Sequence, residues 1–167
     1  MVQLSCIDGK TPKEILTEVN KRIYSSLERN SFITMTLALF DINKMSVRFC
    51  RAGHMPILTA NNGTVDIYKS QGLGIGLEQG IIFENTLIEQ EINLIPGQIY
   101  AFYSDGITEA MNENMELFGE DKLSNLLKNK TACTATQIMN EIWSSINSFK
   151  GSAAQNDDMT MVLVKVK

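Results

Sequence analysis

Asn61-Asn62-Gly63 separates two short runs of strand-forming residues, Ile57 to Ala60 and Thr64 to Tyr68. An Asn-Gly pair closes a tight hairpin because both residues tolerate positive φ. The middle of this chain is therefore bound to antiparallel pairing, and the neighbouring segments extend that pattern. Ile33, Met35, Leu37 and Leu39 alternate with Thr34, Thr36, Ala38 and Phe40. Both sets are fairly apolar, which predicts a strand covered on both faces. Asp41-Ile42-Asn43-Lys44 reads as a turn and Ser46 to Arg51 as the return strand. Phe83 to Ile92 alternates as a strand would, Pro96-Gly97 turns, and Ile99 to Tyr103 is a short buried strand. Met159 to Val166 alternates again as the final strand.

One helix precedes these strands, and a second helical region falls before the last of them. Thr11-Pro12-Lys13-Glu14 combines an N-cap, a proline at the first helical position and a capping box. Ile15, Val19, Ile23 and Leu27 then recur at helical spacing, predicting an amphipathic helix to about Arg29. A second helical region covers Glu120 to Leu127 and Thr134 to about Phe149. Thr134 and Gln137 form another capping box, Ile138, Ile142, Ile146 and Phe149 give the apolar face, and Gly151 is the C-cap. Runs of strands beside runs of helices predict an α+β fold, with helices packed on antiparallel β-sheets, in a single domain over 1–167.

Composition narrows the partners. The formal net charge is −4, and no Lys/Arg cluster stands out, which argues against nucleic acid. Cys6, Cys50 and Cys133 are far apart and odd in number, which fits reduced thiols in a cytoplasmic protein better than a disulfide framework or a zinc site. No apolar run approaches a transmembrane helix, and Met1 to Lys10 lacks the apolar region of a signal peptide.

The chemistry sits at strand ends. Ile99 to Tyr103 leads through Ser104 to Asp105-Gly106, so a carboxylate follows a buried strand, with Gly106 allowing a sharp turn. Asn156-Asp157-Asp158-Met159-Thr160 places two carboxylates just before another strand. If these strands are antiparallel neighbours, the acidic ends meet at one edge. Clustered carboxylates repel and need a cation, and hard oxygen ligands suit Mg²⁺ or Mn²⁺. Taken alone, each motif also reads as an ordinary turn, and composition and spacing leave both readings open.

Tyr103-Ser104-Asp105-Gly106-Ile107-Thr108-Glu109-Ala110 resembles the T/S-D-G-[IV]-T-E-A motif of the sporulation stage II protein E-type phosphatases, a branch of the metal-dependent, protein phosphatase 2C-like family. Asp157-Asp158-Met159-Thr160 resembles the closing D-D-[MI]-T motif of that family, and Arg51-Ala52-Gly53-His54-Met55-Pro56 its N-A-G-H-N-P loop. Phe118 to Leu123 is similar to F-G-x-x-R-L, and Phe32-Ile33-Thr34-Met35 to F-[VI]-T-[LM]. Five motifs in the family's order cover nearly the whole chain.

The resemblance implies an incomplete α-β-β-α phosphatase sandwich and metal-dependent hydrolysis of phosphoserine or phosphothreonine. It implies Asp105 and Asp157 as metal ligands, Asp158 as a weaker one, and two Mg²⁺ or Mn²⁺ ions in a complete site. Gly106 and His54 would lie on the substrate side. The substrate would be a phosphorylated regulatory protein such as an anti-anti-sigma-like domain. The family's G-D-[FY]-Y-D strand and D-V-x-G-[HK]-G loop, which normally precede the helix that starts here at Thr11, have no match; Asp8-Gly9 stands in the wrong context. That implies a chain starting inside the domain, its C-terminal two-thirds, with weak or absent activity of its own. Surface left uncovered would favour a homodimer. The rival reading is a non-catalytic, degenerate phosphatase-fold module that binds partner proteins.

Other features carry less. His54, the only histidine, reads as a turn residue whose ring bonds nearby backbone, with general acid as the rival role. Gly72-Leu73-Gly74-Ile75-Gly76 fits neither dinucleotide nor P-loop patterns; it resembles the family's G-x-P-L-G segment and reads as a flexible loop near the site. Met111, Met115 and Phe118 read as core packing, and Glu113, Glu116, Glu120 and Asp121 as a solvated face. Arg51 replaces the family's usual Asn.

Overall fold

The Thr11 capping box forms as its residues dictate. Thr11 Oγ1 accepts from the Glu14 N–H (3.3 Å), and the Glu14 carboxylate accepts from the Thr11 N–H (2.8 Å). These bonds satisfy amides that the first helical turn leaves without partners. They start α1 (Pro12–Ile23) in the computed structural model, which describes residues 9–28 and 30–167. Cys6, Asp8 and Arg29 lie outside the described residues, as does most of the Met1 to Lys10 segment. The helix ends earlier than its periodicity predicts. Tyr24–Ser26 forms a 3₁₀ turn, and Leu27 is already extended, with φ −83° and ψ 144°. Two consecutive serines weaken the helix there, because serine hydroxyls compete for the backbone.

The chain divides into two compact units. One holds the residues through His54 with Lys69–Leu94, the other Met55–Tyr68 with Ile95–Lys167. In the first, β1 (Met35–Asp41), β2 (Ser46–Ala52) and β5 (Glu89–Asn93) form an antiparallel sheet in the order β1-β2-β5. Ile15, Leu16 and Val19 of α1 bury against Cys50, Ala52, Ile75, Phe83 and Leu87. β1 departs from its prediction: all seven of its residues are half-buried and none is fully covered. Among the described residues it is an edge strand, and its apolar residues on both faces are only partly screened.

The predicted strand from Phe83 to Ile92 is also corrected. Its first half is a short helix, α2 (Ile81–Thr86), and only Glu89–Asn93 is strand. Phe83 and Leu87 are both buried, at 0% and 2% exposure. They stand one helical turn apart, and Asn85 between them, which alternation would place on the same face, is exposed, so the burial pattern selects helix over alternation. Burial, with the Glu89 carboxylate adding to it, pushes the Cys50 thiol up to about 11. Native protein should therefore leave Cys50 unmodified by iodoacetamide at pH 8.5, with labelling appearing only on unfolding. Mass spectrometry of the labelled peptides would detect native labelling and so contradict this.

In the second unit, β3 (Ile57–Asn61), β4 (Thr64–Tyr68), β6 (Ile99–Tyr103) and β7 (Met161–Lys165) form an antiparallel sheet in the order β4-β3-β6-β7. Asn62 and Gly63 take φ of 46° and 84°, the left-handed pair that a two-residue hairpin requires. One turn, α3 (Asp105–Thr108), follows β6, and two longer helices, α4 (Gly119–Leu127) and α5 (Ala135–Lys150), complete the unit. The Thr134 capping box is formed, and Gly151 ends α5 at φ 57°. Ile138, Ile142 and Ile146 are fully buried, with Phe149 packed beside them, against Leu58, Ile99, Ala101 and Tyr103 of the sheet. Each unit is thus helix on antiparallel sheet, the α+β architecture expected from the order of elements. No helix among the described residues is long and apolar enough to cross a membrane.

Candidate metal centre

β6 and β7 are antiparallel neighbours, and their ladder runs from Ile99↔Lys165 to Tyr103↔Met161. Beyond that last pair the main chains stay together, with the Ser104 N–H donating to the Thr160 carbonyl at 3.0 Å. The condition set by the sequence is met, and the acidic segments after β6 and before β7 adjoin at one sheet end.

Ser104 fastens them. Its hydroxyl donates to the Asp158 carbonyl (3.0 Å) and accepts from the Thr160 N–H (2.9 Å). Asp105 opens α3, its Oδ1 accepting from the Gly106 N–H at 3.0 Å. Its carbonyl accepts from the Glu109 N–H at 2.8 Å. Asp157 Oδ1 accepts from the Asp158 N–H at 2.7 Å. Asp105, Asp157 and Asp158 are all exposed.

Gly106 has a different role from the sharp turn expected of it. It lies within α3 and is absent from the residues with left-handed φ. A Cβ on Gly106 would stand 2.5 Å from the Asp158 carbonyl oxygen and 3.4 Å from that of Asp157. Its missing side chain lets the two acidic segments approach.

The donors here are hard oxygens, carboxylates of Asp105 and Asp157 with backbone carbonyls beside them, which fit Mg²⁺ or Mn²⁺ by chemistry. Their number is short. Among the described residues no three His, Cys, Asp or Glu side chains gather into a group that could hold a metal.

His54 belongs to the other unit. Its Nδ1 pairs with the Thr34 hydroxyl at 3.0 Å, so a side chain provides a partner where backbone was expected. The Arg51 guanidinium donates to the His54 carbonyl and, through Nε at 3.0 Å, to the Ser70 carbonyl. It ties the Gly53-His54 turn to the segment after β4. The Gly72–Gly76 segment is held rather than loose. The Gly53 N–H donates to the Gly72 carbonyl (2.9 Å), and Ile75 exchanges two backbone bonds with Ile33 (2.8 and 2.9 Å).

Three further expectations change. Met115 is 78% exposed at a turn tip, whereas Phe118 is buried at 1%. Glu120 accepts from the Tyr103 hydroxyl at 3.1 Å, so it is not merely solvated. Glu113 accepts from both the Ser152 hydroxyl (2.5 Å) and the Ser152 N–H (3.0 Å). Those two bonds hold its carboxyl below the usual range and pin the turn after α3 to the segment that leads to Asp157. Ser104, Arg51 and Glu113 were not singled out as functional from sequence. Ser104 had one available signal: a serine placed to cap the helix that starts at Asp105, beside an acidic turn.

Comparison with known proteins gives a consistent picture. Phosphoserine phosphatase RsbU of Bacillus subtilis (strain 168) is 24% identical over 161 residues, which cover 95% of this chain and 46% of RsbU. Protein IcfG of Synechocystis sp. is 25% identical over 169 residues, 96% of this chain and 26% of its own length. The chain thus spans less than half of either relative. Among solved structures, the SiaA-PP2C domain of Pseudomonas aeruginosa superposes with a TM-score of 0.85 at 17% identity, covering 98% of this chain and 64% of that one. The Mn-presoaked phosphatase domain of the cell fate determinant SpoIIE from Bacillus subtilis gives 0.62 at 23% identity, covering 99% and 71%. At these identities the structural likeness speaks to the fold, two antiparallel sheets packed with helices. The family model described as Stage II sporulation protein E (SpoIIE) matches residues 1–167, and the chain belongs to that protein phosphatase 2C-like family.

Proposed function

We propose that this chain supplies Asp105 and Asp157 to the metal site of a divalent-metal-dependent phosphatase acting on phosphoserine or phosphothreonine of a regulatory protein. The observation that carries the reading is the extension of the β6–β7 pairing through Ser104 and Thr160, which sets two acidic segments side by side. Asp105 and Asp157 would hold Mg²⁺ or Mn²⁺, with Asp158 a lesser candidate. When bound, such an ion supplies Lewis acidity toward the phosphoryl group and lowers the pKa of water. The chain's own part is to orient two carboxylates from a short helix and a strand end, both fixed by backbone bonds. RsbU carries the name phosphoserine phosphatase, which favours phosphoserine, and a folded regulatory domain of the anti-anti-sigma kind is the substrate class we assign. Gly106 is a candidate for binding substrate beside Asp105, and His54, in the other unit, is a separate candidate. We place the protein in the cytoplasm, and we expect it to pair with a second copy.

A second reading has its own support. Because no three ligands gather among the described residues, the chain would bind metal weakly and serve as a partner-binding module of the same fold. Phosphate release from a phosphoserine peptide, measured on this chain with and without Mn²⁺, separates the two. Slow release that requires Mn²⁺ and stops with EDTA is the expected result. No release at millimolar Mn²⁺ would favour the binding module, and release indifferent to EDTA would overturn the metal-dependent reading.

A further inference from the structure

We propose that Ser104 is a positioning residue: its side chain sets how close the Asp105 and Asp157 segments stand, and thereby tunes the affinity of the site for a divalent cation. The inference rests on the reading of Asp105 and Asp157 as ligands. Ser104 occupies the N-cap of α3, where a serine hydroxyl ordinarily accepts from an amide of the first helical turn. Here it makes no such bond. The hydroxyl turns away from its own helix to residues 54 and 56 positions later, donating to the Asp158 carbonyl and accepting from the Thr160 N–H.

Those two groups flank Met159 on the strand leading into β7. One hydroxyl therefore holds a donor and an acceptor of the same segment, and the Ser104 N–H adds a third bond to the Thr160 carbonyl. Asp105 is the next residue on one side of this clasp. Asp157 is next to Asp158 on the other. A hydroxyl supplies one donor hydrogen and acceptor lone pairs, so alanine removes both bonds while threonine can keep both. The backbone bond survives either change. Loss of the hydroxyl should thus loosen the approach of the two segments without undoing the sheet. Gly106 makes the approach possible, and Ser104 fixes its distance.

The test uses the chain with Ser104→Ala and Ser104→Thr, read by amide hydrogen exchange of the metal-free protein and by Mn²⁺ calorimetry. Ser104→Ala should speed exchange at Thr160 at least tenfold while leaving the Tyr100 and Ala101 amides unchanged. It should weaken Mn²⁺ binding about 10-fold, the size seen when residues that orient ligands are removed. Ser104→Thr should restore both. Faster exchange with unaltered Mn²⁺ affinity would overturn the positioning role, leaving a structural bond only. Unaltered exchange would overturn the clasp. Wild-type protein that binds no Mn²⁺ at millimolar concentration defeats the ligand reading and with it the effect on affinity, while the exchange rates still report on the clasp. If Ser104→Ala does not fold, Ser104→Cys supplies the same comparison with a near-isosteric, weaker hydrogen-bonding group.

Discussion

Gly106→Ala should lower the melting temperature of this chain by about 4–8 °C, and it should weaken Mn²⁺ binding with it. The sign is informative, because helix propensity alone predicts the opposite. Alanine is favoured over glycine by about 1 kcal/mol in a helix interior, and Gly106 lies inside α3 without left-handed backbone. The added methyl would meet the Asp158 carbonyl oxygen at 2.5 Å and its carbon at 3.0 Å. Both are backbone atoms, and the oxygen is held by Ser104. Neither can swing aside as a flexible side chain would. Overpacking of this kind costs about 1–3 kcal/mol, and a one-turn helix returns little of the propensity gain. A net loss of about 2 kcal/mol, at roughly 2–4 °C per kcal/mol for a chain of this size, gives the stated shift. Calorimetric melting of metal-free protein isolates the steric part, and a Mn²⁺ titration then shows whether moving the 157–158 segment disturbs the site. A melting temperature equal to or above that of wild type would mean that the two segments stand apart in solution.

Gly106 also shows where sequence reading succeeds and where it stops. The features it read well are local: the two capping boxes, the Asn62-Gly63 turn and the Ile138, Ile142, Ile146 stripe each hold their cause within a few residues, and all are present. It also placed carboxylates at the ends of two strands, but only as a conditional, because nothing local says which strands pair. The residues that make the condition true act at a distance. Ser104 reaches 54 residues along the chain, Glu113 reaches 39 to Ser152, and Gly106 is glycine because of a carbonyl beyond α5. Such partners leave no periodicity. The misread strand at Phe83 has another cause. A short apolar run supports helix and strand alike, and the decision fell to burial of Phe83 with Leu87 while Asn85 stays exposed, a tertiary fact. Likewise the apolar faces of β1 could not reveal that it stands at the edge of its sheet among the described residues.

Asp105→Asn should weaken Mn²⁺ binding by about 100-fold or more while leaving the metal-free fold intact. Removing even a residue that merely orients a ligand costs 10–100-fold, and here a charged donor itself is lost. The fold should survive because the local role of the side chain is to accept from the Gly106 N–H, and the amide oxygen of asparagine can do the same. The two variants therefore fail in opposite ways: Gly106→Ala loses stability without metal, Asp105→Asn loses only what metal adds. Thermal melting with and without Mn²⁺ reads that difference directly. A ligand at a hundredfold excess over its Kd stabilises the folded state by about 2.7 kcal/mol; wild type should gain this and Asp105→Asn should gain almost none. Asp157→Asn should match it. Asp158→Asn should fall short of both, since the contact Asp158 gives to Ser104 is made by its backbone carbonyl and survives the change. Asp66→Asn, an exposed acid on β4, should behave as wild type and so controls for net charge. Equal Mn²⁺ stabilisation of wild type and Asp105→Asn would remove Asp105 from the site, and with it the meaning assigned to the acidic ends of β6 and β7.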